Sequence, residues 1–179
     1  MRILAGEWKG RALSFSRTGI RPTSNKVKEA LFNILGDRVA DCRFLDLFAG
    51  TGAMGLEALS QGAEHAIFVE LTPGVIYQNV EALSARGRCQ VIKRDVVKTL
   101  DYFEKSRQQF DVIFLDPPYE GVFLERALNK LGAFDILKPN GLVIAEHRKQ
   151  QTPRDAYGKL TLSRQAKYGD TILSFYGAS

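Results

Sequence analysis

Two short stretches hold side chains of the kinds that chemistry needs. The first is Asp46–Gly55, DLFAGTGAMG, in which Gly50, Gly52 and Gly55 form a G-x-G-x-x-G fingerprint and an acid, Glu70, follows Gly50 by 20 residues. Glycines at that spacing let a backbone turn tightly from a strand into a helix and present N–H groups to a ligand. The second is Asp116–Tyr119, DPPY. Two successive prolines fix φ and remove two backbone donors. What is left is a stiff row of carbonyl acceptors beside the Asp116 carboxylate, with the flat face of Tyr119 next to it.

Asp46 selects the ligand of the first stretch. A dinucleotide brings its pyrophosphate to such a loop, against the helix N-terminus, and a carboxylate at the strand end would oppose that charge. S-adenosylmethionine has no phosphate; its methionine end carries an ammonium and a carboxylate, and its sulfur is cationic. Asp46 can accept from the ammonium, directly or through water, while Gly50 and Gly52 let the backbone come close. Glu70 can accept from the ribose hydroxyls, a task an acid also performs for NAD, so Glu70 does not discriminate. Asp95 is placed to accept from the adenine amino group. A strand-to-helix turn that binds nothing would carry the same glycines, so the second stretch bears more weight.

A planar exocyclic amine suits DPPY, because it offers two N–H donors that Asp116 and the Pro117 carbonyl can accept. Held this way, the nitrogen turns its lone pair from the ring toward a sulfonium methyl, and Tyr119 stacks on the base. The released proton goes to Asp116 or to water. A paired base would have to be flipped out to reach the site. A proline-stiffened surface turn would also read D-P-P; the place of this one, after an apolar strand and downstream of the glycine loop, favours chemistry.

These residues need a frame, and the sequence predicts one. FLDLF, AIFVE, CQVIKRD, FDVIFLD and GLVIAEH read as apolar strands separated by helical stretches at 53–61, from Thr72 as N-cap and Pro73 to about Arg86, at 96–105 and at 121–131. Strand–helix alternation with strands buried on both faces means a parallel sheet covered twice. Asp46, Glu70, Asp95 and Asp116 each fall at or just past a strand end, the rim where such sheets bind ligands. Two further runs, 159–165 and 171–176, read as an antiparallel hairpin and bring the sheet to seven strands. The segment 148–158 reads as a polar connection. Val27, Ala30, Leu31, Ile34 and Leu35 share one helical face that ends at Gly36, and residues 2–15 read as a small hairpin.

The chain has 179 residues and a net charge of +5. That length suits one domain, 1–179, with residues 1–20 as an appendage to a core of 21–179. Residues 1–28 contain seven basic side chains and one acid, so the whole excess lies at one end. A basic arm neutralises phosphates, and Trp8 and Phe15 among the cations suit base stacking if exposed; a solvated edge would look the same by charge alone. Cys42 and Cys89 read as free thiols of a reducing cytoplasm. His65 and His147 are too scattered for a metal site, and His147 reads as a satisfied rim or core histidine. No apolar run suits a membrane span or a secretion signal.

Taken together, DLFAGTGAMGLEALSQGA, FVE and DPPY resemble the Rossmann-like methyltransferases that use S-adenosylmethionine to modify exocyclic amines. MRILAGEWKGRAL, GIRPTSNKVKEALFNIL and YGDTILSFY resemble more narrowly the RsmD family, bacterial 16S ribosomal RNA guanine-N2 methyltransferases. The resemblance spans essentially the whole chain. It implies a mostly parallel seven-stranded α/β sheet with a C-terminal antiparallel hairpin and an N-terminal β-hairpin extension. It implies S-adenosylmethionine held by Asp46, Phe48, Gly50, Thr51, Gly52, Glu70, Asp95 and Thr23, with Asp116, Pro117, Pro118 and Tyr119 as the catalytic motif. It implies 16S ribosomal RNA, free or in a 30S subunit or assembly intermediate, held by Lys9, Arg11, Arg17 and Arg21. A cytoplasmic monomer is expected. An adenine-N6 methyltransferase, a NAD-dependent oxidoreductase and a non-catalytic RNA-binding protein are the competing readings.

Overall fold

Phe44, Ala66 and Phe68 pack into one apolar cluster, while Leu45, Leu47, Ile67 and Val69 pack into another on the opposite side. Strands apolar on both faces must be covered on both, and the chain does so. The computed structural model describes residues 1–15, 24–118 and 122–178. Its strands are β1 (Arg43–Leu47), β2 (His65–Glu70), β3 (Cys89–Lys93), β4 (Phe110–Leu115), β5 (Leu137–Arg148), β6 (Ala156–Tyr157), β7 (Leu160–Tyr168) and β8 (Thr171–Ala178). They form one sheet in the order β3-β2-β1-β4-β5-β8-β7-β6. The first five are parallel, and β8, β7 and β6 pair antiparallel. Helices α1 (Asn25–Leu35), α2 (Ala53–Ser60) and α3 (Gly74–Ala82) cover one face, and α4 (Val96–Lys105) and α5 (Val122–Ala133) the other. The α/β class, the parallel core and the antiparallel end are as the sequence predicts.

Three details differ from the sequence reading. The sheet has eight strands, because Ala156–Tyr157 inside the expected polar connection pairs with Leu160–Thr161. Tyr157 drives this: its ring is buried under α5, and its hydroxyl donates to Glu125. Helix α3 starts at Gly74 and stops at Ala82, well short of Arg86. Thr72 does not cap it, since its N–H and hydroxyl both donate to Glu70 instead. Ser84 takes φ 53°, and the Ala85 N–H turns back to the Val80 carbonyl at 2.9 Å, which closes the helix early.

The N-terminal segment is the third. Backbone bonds join Ile3 to Gly10 and Arg11, and Leu13 to Met1, yet only Arg2 and Ala12 form a bridge. Two strands this short do not hold themselves together in water; α2 holds them. The Glu57 carboxylate accepts from the Leu4 N–H at 2.9 Å, from the Ala5 N–H at 3.0 Å and from Lys28 Nζ at 2.8 Å, and both charged side chains are fully buried. Lys28 Nζ also donates to the Arg2 carbonyl at 2.7 Å. Ser60 Oγ accepts from the Trp8 N–H at 2.9 Å and donates to the Ala5 carbonyl at 2.6 Å. Trp8 is 8% exposed, with the Arg88 guanidinium 5.2 Å from its ring centroid, so it is an anchor and not a stacking platform; Phe15, 57% exposed, is free for that use.

Burial pushes the Lys28 pKa down, and Glu57 opposes that shift by hydrogen bond and charge. Glu57→Gln leaves Lys28 as an uncompensated buried cation and is expected to cost about 3–5 kcal/mol in urea unfolding at neutral pH. A folded-state lysine pKa below its unfolded value makes stability rise with pH between the two values. The deficit is therefore expected to shrink as pH rises toward the ordinary lysine range, where the buried amine releases its proton more easily. A deficit below about 1 kcal/mol at neutral pH would remove the pair as the anchor of the arm.

Candidate functional site

The strand order reverses between β1 and β4, so their carboxyl ends diverge around a crevice, the place where open α/β sheets bind ligands. A cleft of about 480 Å³ lies there, of the size that takes a small molecule. Asp46, Phe48, Gly50 and Thr51 reach it from β1 and its loop. Glu70 comes from the end of β2, Asp95 from beyond β3, and Asp116, Pro117 and Pro118 from beyond β4. Ten of the sequence-derived residues fall in the described part of this region, and all but Gly52 form its wall.

Gly52 acts through conformation. It is the N-cap of α2 with φ 76°, a left-handed value that an L side chain adopts at a cost, and it has no side chain with which to cap. The cap comes from β1. Asp46 Oδ2 accepts from the Gly55 N–H at 2.9 Å, so a carboxyl group occupies the N-terminus of α2. Gly55 lets that helix lie close on the sheet: a Cβ there would stand 2.4 Å from the Phe68 ring. A pyrophosphate seated in the dinucleotide manner would meet this carboxyl group.

Asp46 is 1% exposed, and burial raises its pKa to about 8; the Gly55 N–H lowers it and nearby Glu70 raises it further. A cationic group arriving in the cleft would favour the ionised form. Glu70 is already at work on the loop, since Oε2 accepts from the Gly50 N–H at 3.0 Å and Oε1 from the Thr72 N–H at 3.0 Å. An ionised carboxylate has about four acceptor sites, so it retains capacity for hydroxyl donors. Asp95 is both a cleft residue and the N-cap of α4, with Oδ1 accepting from the Lys98 N–H at 3.0 Å. Phe48 sits at φ 61° and meets Phe123 edge-on, with ring centroids 6.3 Å apart.

Asp116 continues β4 past Leu115, which pairs with Leu47, so it stands across the crevice from the glycine loop. Pro117 is buried and Pro118 exposed. Thr23, Arg17, Arg21 and Tyr119 lie outside the described residues. Lys9 and Arg11 are exposed and stand apart from the cleft wall; an Arg11 guanidinium N–H donates to the Ala82 carbonyl at 2.6 Å. His147 is buried, 2.8 Å from Ser174 Oγ, and is a satisfied core residue.

Sequence reasoning missed Met1, Arg94 and Phe123 in the wall. Arg94 was the legible one, being next to Asp95 at a strand end. It also missed Asn79, which is 1% exposed: Oδ1 accepts from the Ser14 N–H at 2.7 Å, and Nδ2 donates to the Ser14 carbonyl at 3.1 Å and the Thr51 carbonyl at 2.9 Å.

The raised pKa of Asp46 has a signature in the ligand-free protein. From the ordinary carboxylate range near 4 up to about 8, the folded chain keeps a proton that the unfolded chain has lost. Stability must fall with rising pH across that window and level off above it. Thermal unfolding at several pH values is expected to show this decline in the wild type and to lack it in Asp46→Asn; parallel profiles would mean that Asp46 titrates normally.

Comparison with known proteins gives the family of the chain. The family model described as "Conserved hypothetical protein 95" matches residues 1–177. A Haemophilus influenzae protein named "Ribosomal RNA small subunit methyltransferase D" is 38% identical over 84% of this chain and 80% of its own length. The Escherichia coli K12 protein of the same name is 30% identical over 98% and 89%. Among solved structures, the Escherichia coli protein yhhF superposes with a TM-score of 0.86 at 31% identity, covering 100% of this chain and 98% of that one. With a full-length family match and relatives of this identity and coverage, the chain belongs to the "Conserved hypothetical protein 95" family, alongside the small-subunit ribosomal RNA methyltransferases D.

Proposed function

We propose that this chain transfers a methyl group from S-adenosylmethionine to the exocyclic N2 amine of a guanine in 16S ribosomal RNA. The observation that carries the reading is one crevice with two kinds of acceptor on its walls. The buried Asp46 carboxyl group is seated at a helix N-terminus, and Asp116 and Pro117 stand at the neighbouring strand end. The relatives named ribosomal RNA small subunit methyltransferase D support the substrate class.

Bound S-adenosylmethionine supplies an electrophilic methyl group on a cationic sulfur. Asp46 and the Gly50–Thr51 backbone take its methionine end, with Gly52 setting the turn and Thr23 closing from the preceding segment. Glu70 accepts from the ribose hydroxyls, Asp95 from the adenine amino group, and Phe48 packs beside them. The Asp116 carboxylate and the Pro117 carbonyl accept the two hydrogens of the guanine amine. That arrangement holds the nitrogen with its lone pair turned into the cleft, and orientation of this kind lowers barriers by roughly 7–11 kcal/mol in well-aligned systems. Pro118 keeps the corner rigid, and Tyr119 stacks on the base. After transfer the amine's proton leaves to Asp116 or to water.

Residues 1–20 serve as a basic extension of a catalytic core of 21–179, and Lys9, Arg11, Arg17 and Arg21 neutralise RNA phosphates. The enzyme works as a monomer in the cytoplasm, on 16S ribosomal RNA free or in a 30S subunit or assembly intermediate. Among the described residues no helix is long and apolar enough to cross a membrane.

Mass mapping of 16S ribosomal RNA from cells with and without the gene is expected to show one N2-methylguanosine that depends on it; a gene-dependent N6-methyladenosine would move the acceptor to adenine. Asp116→Ala is expected to lower kcat at least about 100-fold, the cost of losing a preorganised polar partner, while cofactor affinity measured by calorimetry stays unchanged. Normal turnover would take Asp116 out of the mechanism. Lys9→Glu with Arg11→Glu is expected to weaken RNA binding and to flatten the slope of log affinity against log salt by roughly one to two. An unchanged slope would place the RNA elsewhere.

A further inference from the structure

Among the described residues, the Asn79 side chain touches both the glycine loop and the docked arm through hydrogen bonds. Its carboxamide meets Ser14 in a two-bond ring, Oδ1 to the N–H and Nδ2 to the carbonyl, as a strand edge would. The second Nδ2 hydrogen goes to the Thr51 carbonyl. Both amide donors and the oxygen are thereby used, and a flipped amide would set two donors face to face, so one orientation alone satisfies the set. The group is 1% exposed and offers no room to swing. A planar unit thus bridges the backbone of Thr51, in the cleft wall, and the backbone of Ser14, which precedes the exposed Phe15.

We propose that Asn79 is a positioning residue that couples cofactor occupancy to RNA binding. The inference rests on the methyl-transfer reading. A ligand that fixes the Gly50–Thr51 backbone fixes the Thr51 carbonyl, and through the carboxamide it fixes Ser14 and the end of the arm. Ordering the arm in advance lowers the entropy that RNA binding has to overcome, and linkage makes the effect reciprocal. Neither Glu57 nor Arg11 can carry this coupling, because Glu57 ties the arm to Lys28 and Gln61 and the Arg11 side chain reaches the Ala82 carbonyl, so neither side chain bonds to the loop.

The test is a binding cycle. 16S ribosomal RNA and 30S particles from cells lacking the gene are titrated with the protein, each with and without saturating S-adenosylhomocysteine. In the wild type the nucleoside is expected to tighten RNA binding at least about five-fold, the lower end of ordinary coupling. Two variants cut the bridge from opposite sides. Asn79→Asp keeps the acceptor for the Ser14 N–H but replaces both amide donors with an oxygen. Ser14→Pro removes that N–H on an exposed residue and leaves the bond to Thr51 intact. In both, the factor is expected to fall to about one, while Ser14→Pro binds S-adenosylhomocysteine alone as the wild type does. A merely structural role would weaken each affinity and keep their ratio. Retained coupling in Ser14→Pro overturns the inference, and that variant decides if Asn79→Asp does not fold. Independent binding of both ligands by the wild type overturns it too and leaves methyl transfer standing. Binding of neither ligand would bring down the parent reading with it.

Discussion

The β1–α2 corner depends on one hydrogen bond, from the Gly55 N–H to the buried Asp46 carboxyl group. A helix that begins at a glycine has no side chain to satisfy its first N–H groups, and buried orphans of that kind are costly. Here the strand supplies the missing acceptor, so the same group caps the helix, fixes the loop and sets the character of the cleft. It also bears on what the fingerprint is for. An anion seat already filled by a carboxyl group suits a cation, and burial leaves that group short of solvation until a cation comes. The glycine spacing is shared by two cofactor classes; the residue four places ahead of it separates them.

A second set of buried polar contacts decides where the arm sits. Glu57, Lys28, Ser60 and Asn79 bond to the backbone of residues 2–14 from three helices. A segment with so little strand pairing of its own would fray in water. Docked on buried acceptors and donors, it is held in register to within a hydrogen bond. Specific burial of this sort suits an element that must present charge at a set distance from a reacting atom.

Much of this was legible in the sequence, and the remainder was hidden for identifiable reasons. Strands alternate with helices at short range, so the apolar runs and their order could be read, and with them the rim where Asp46, Glu70, Asp95 and Asp116 meet. Glu57 and Asn79 could not be read. In LEALS and YQNVEA they look like ordinary polar positions of surface helices, and their partners lie 53 and 65 residues away. Trp8 looked like a stacking aromatic because its neighbours are cations, yet one cation, Arg88, covers its ring from far along the chain. Thr72 had the type and place of an N-cap but found a stronger acceptor two residues back in Glu70. Tyr157 makes a strand out of two residues through burial that no local pattern announces. Apart from the local Thr72–Glu70 pair, each miss is a long-range contact overriding a local preference.

The division of charge gives the last step. Four carboxyl groups line the cleft, accompanied by Arg94, while the basic excess of the chain lies within residues 1–28. An acidic crevice attracts a sulfonium cofactor and repels phosphate. A ribose–phosphate chain drawn to the arm therefore has reason to stay there, and only an uncharged base gains by entering. The base must then leave its stack to span the gap, and the cost of flipping it is least where the nucleotide is already unpaired. Under the proposed function, selection among the many guanines of a large RNA would follow from that geometry. On the proposed reading the Asp116–Pro117 corner would accept any exocyclic amine that reached it, so the arm's grip on folded RNA, more than the corner, would choose which amine arrives.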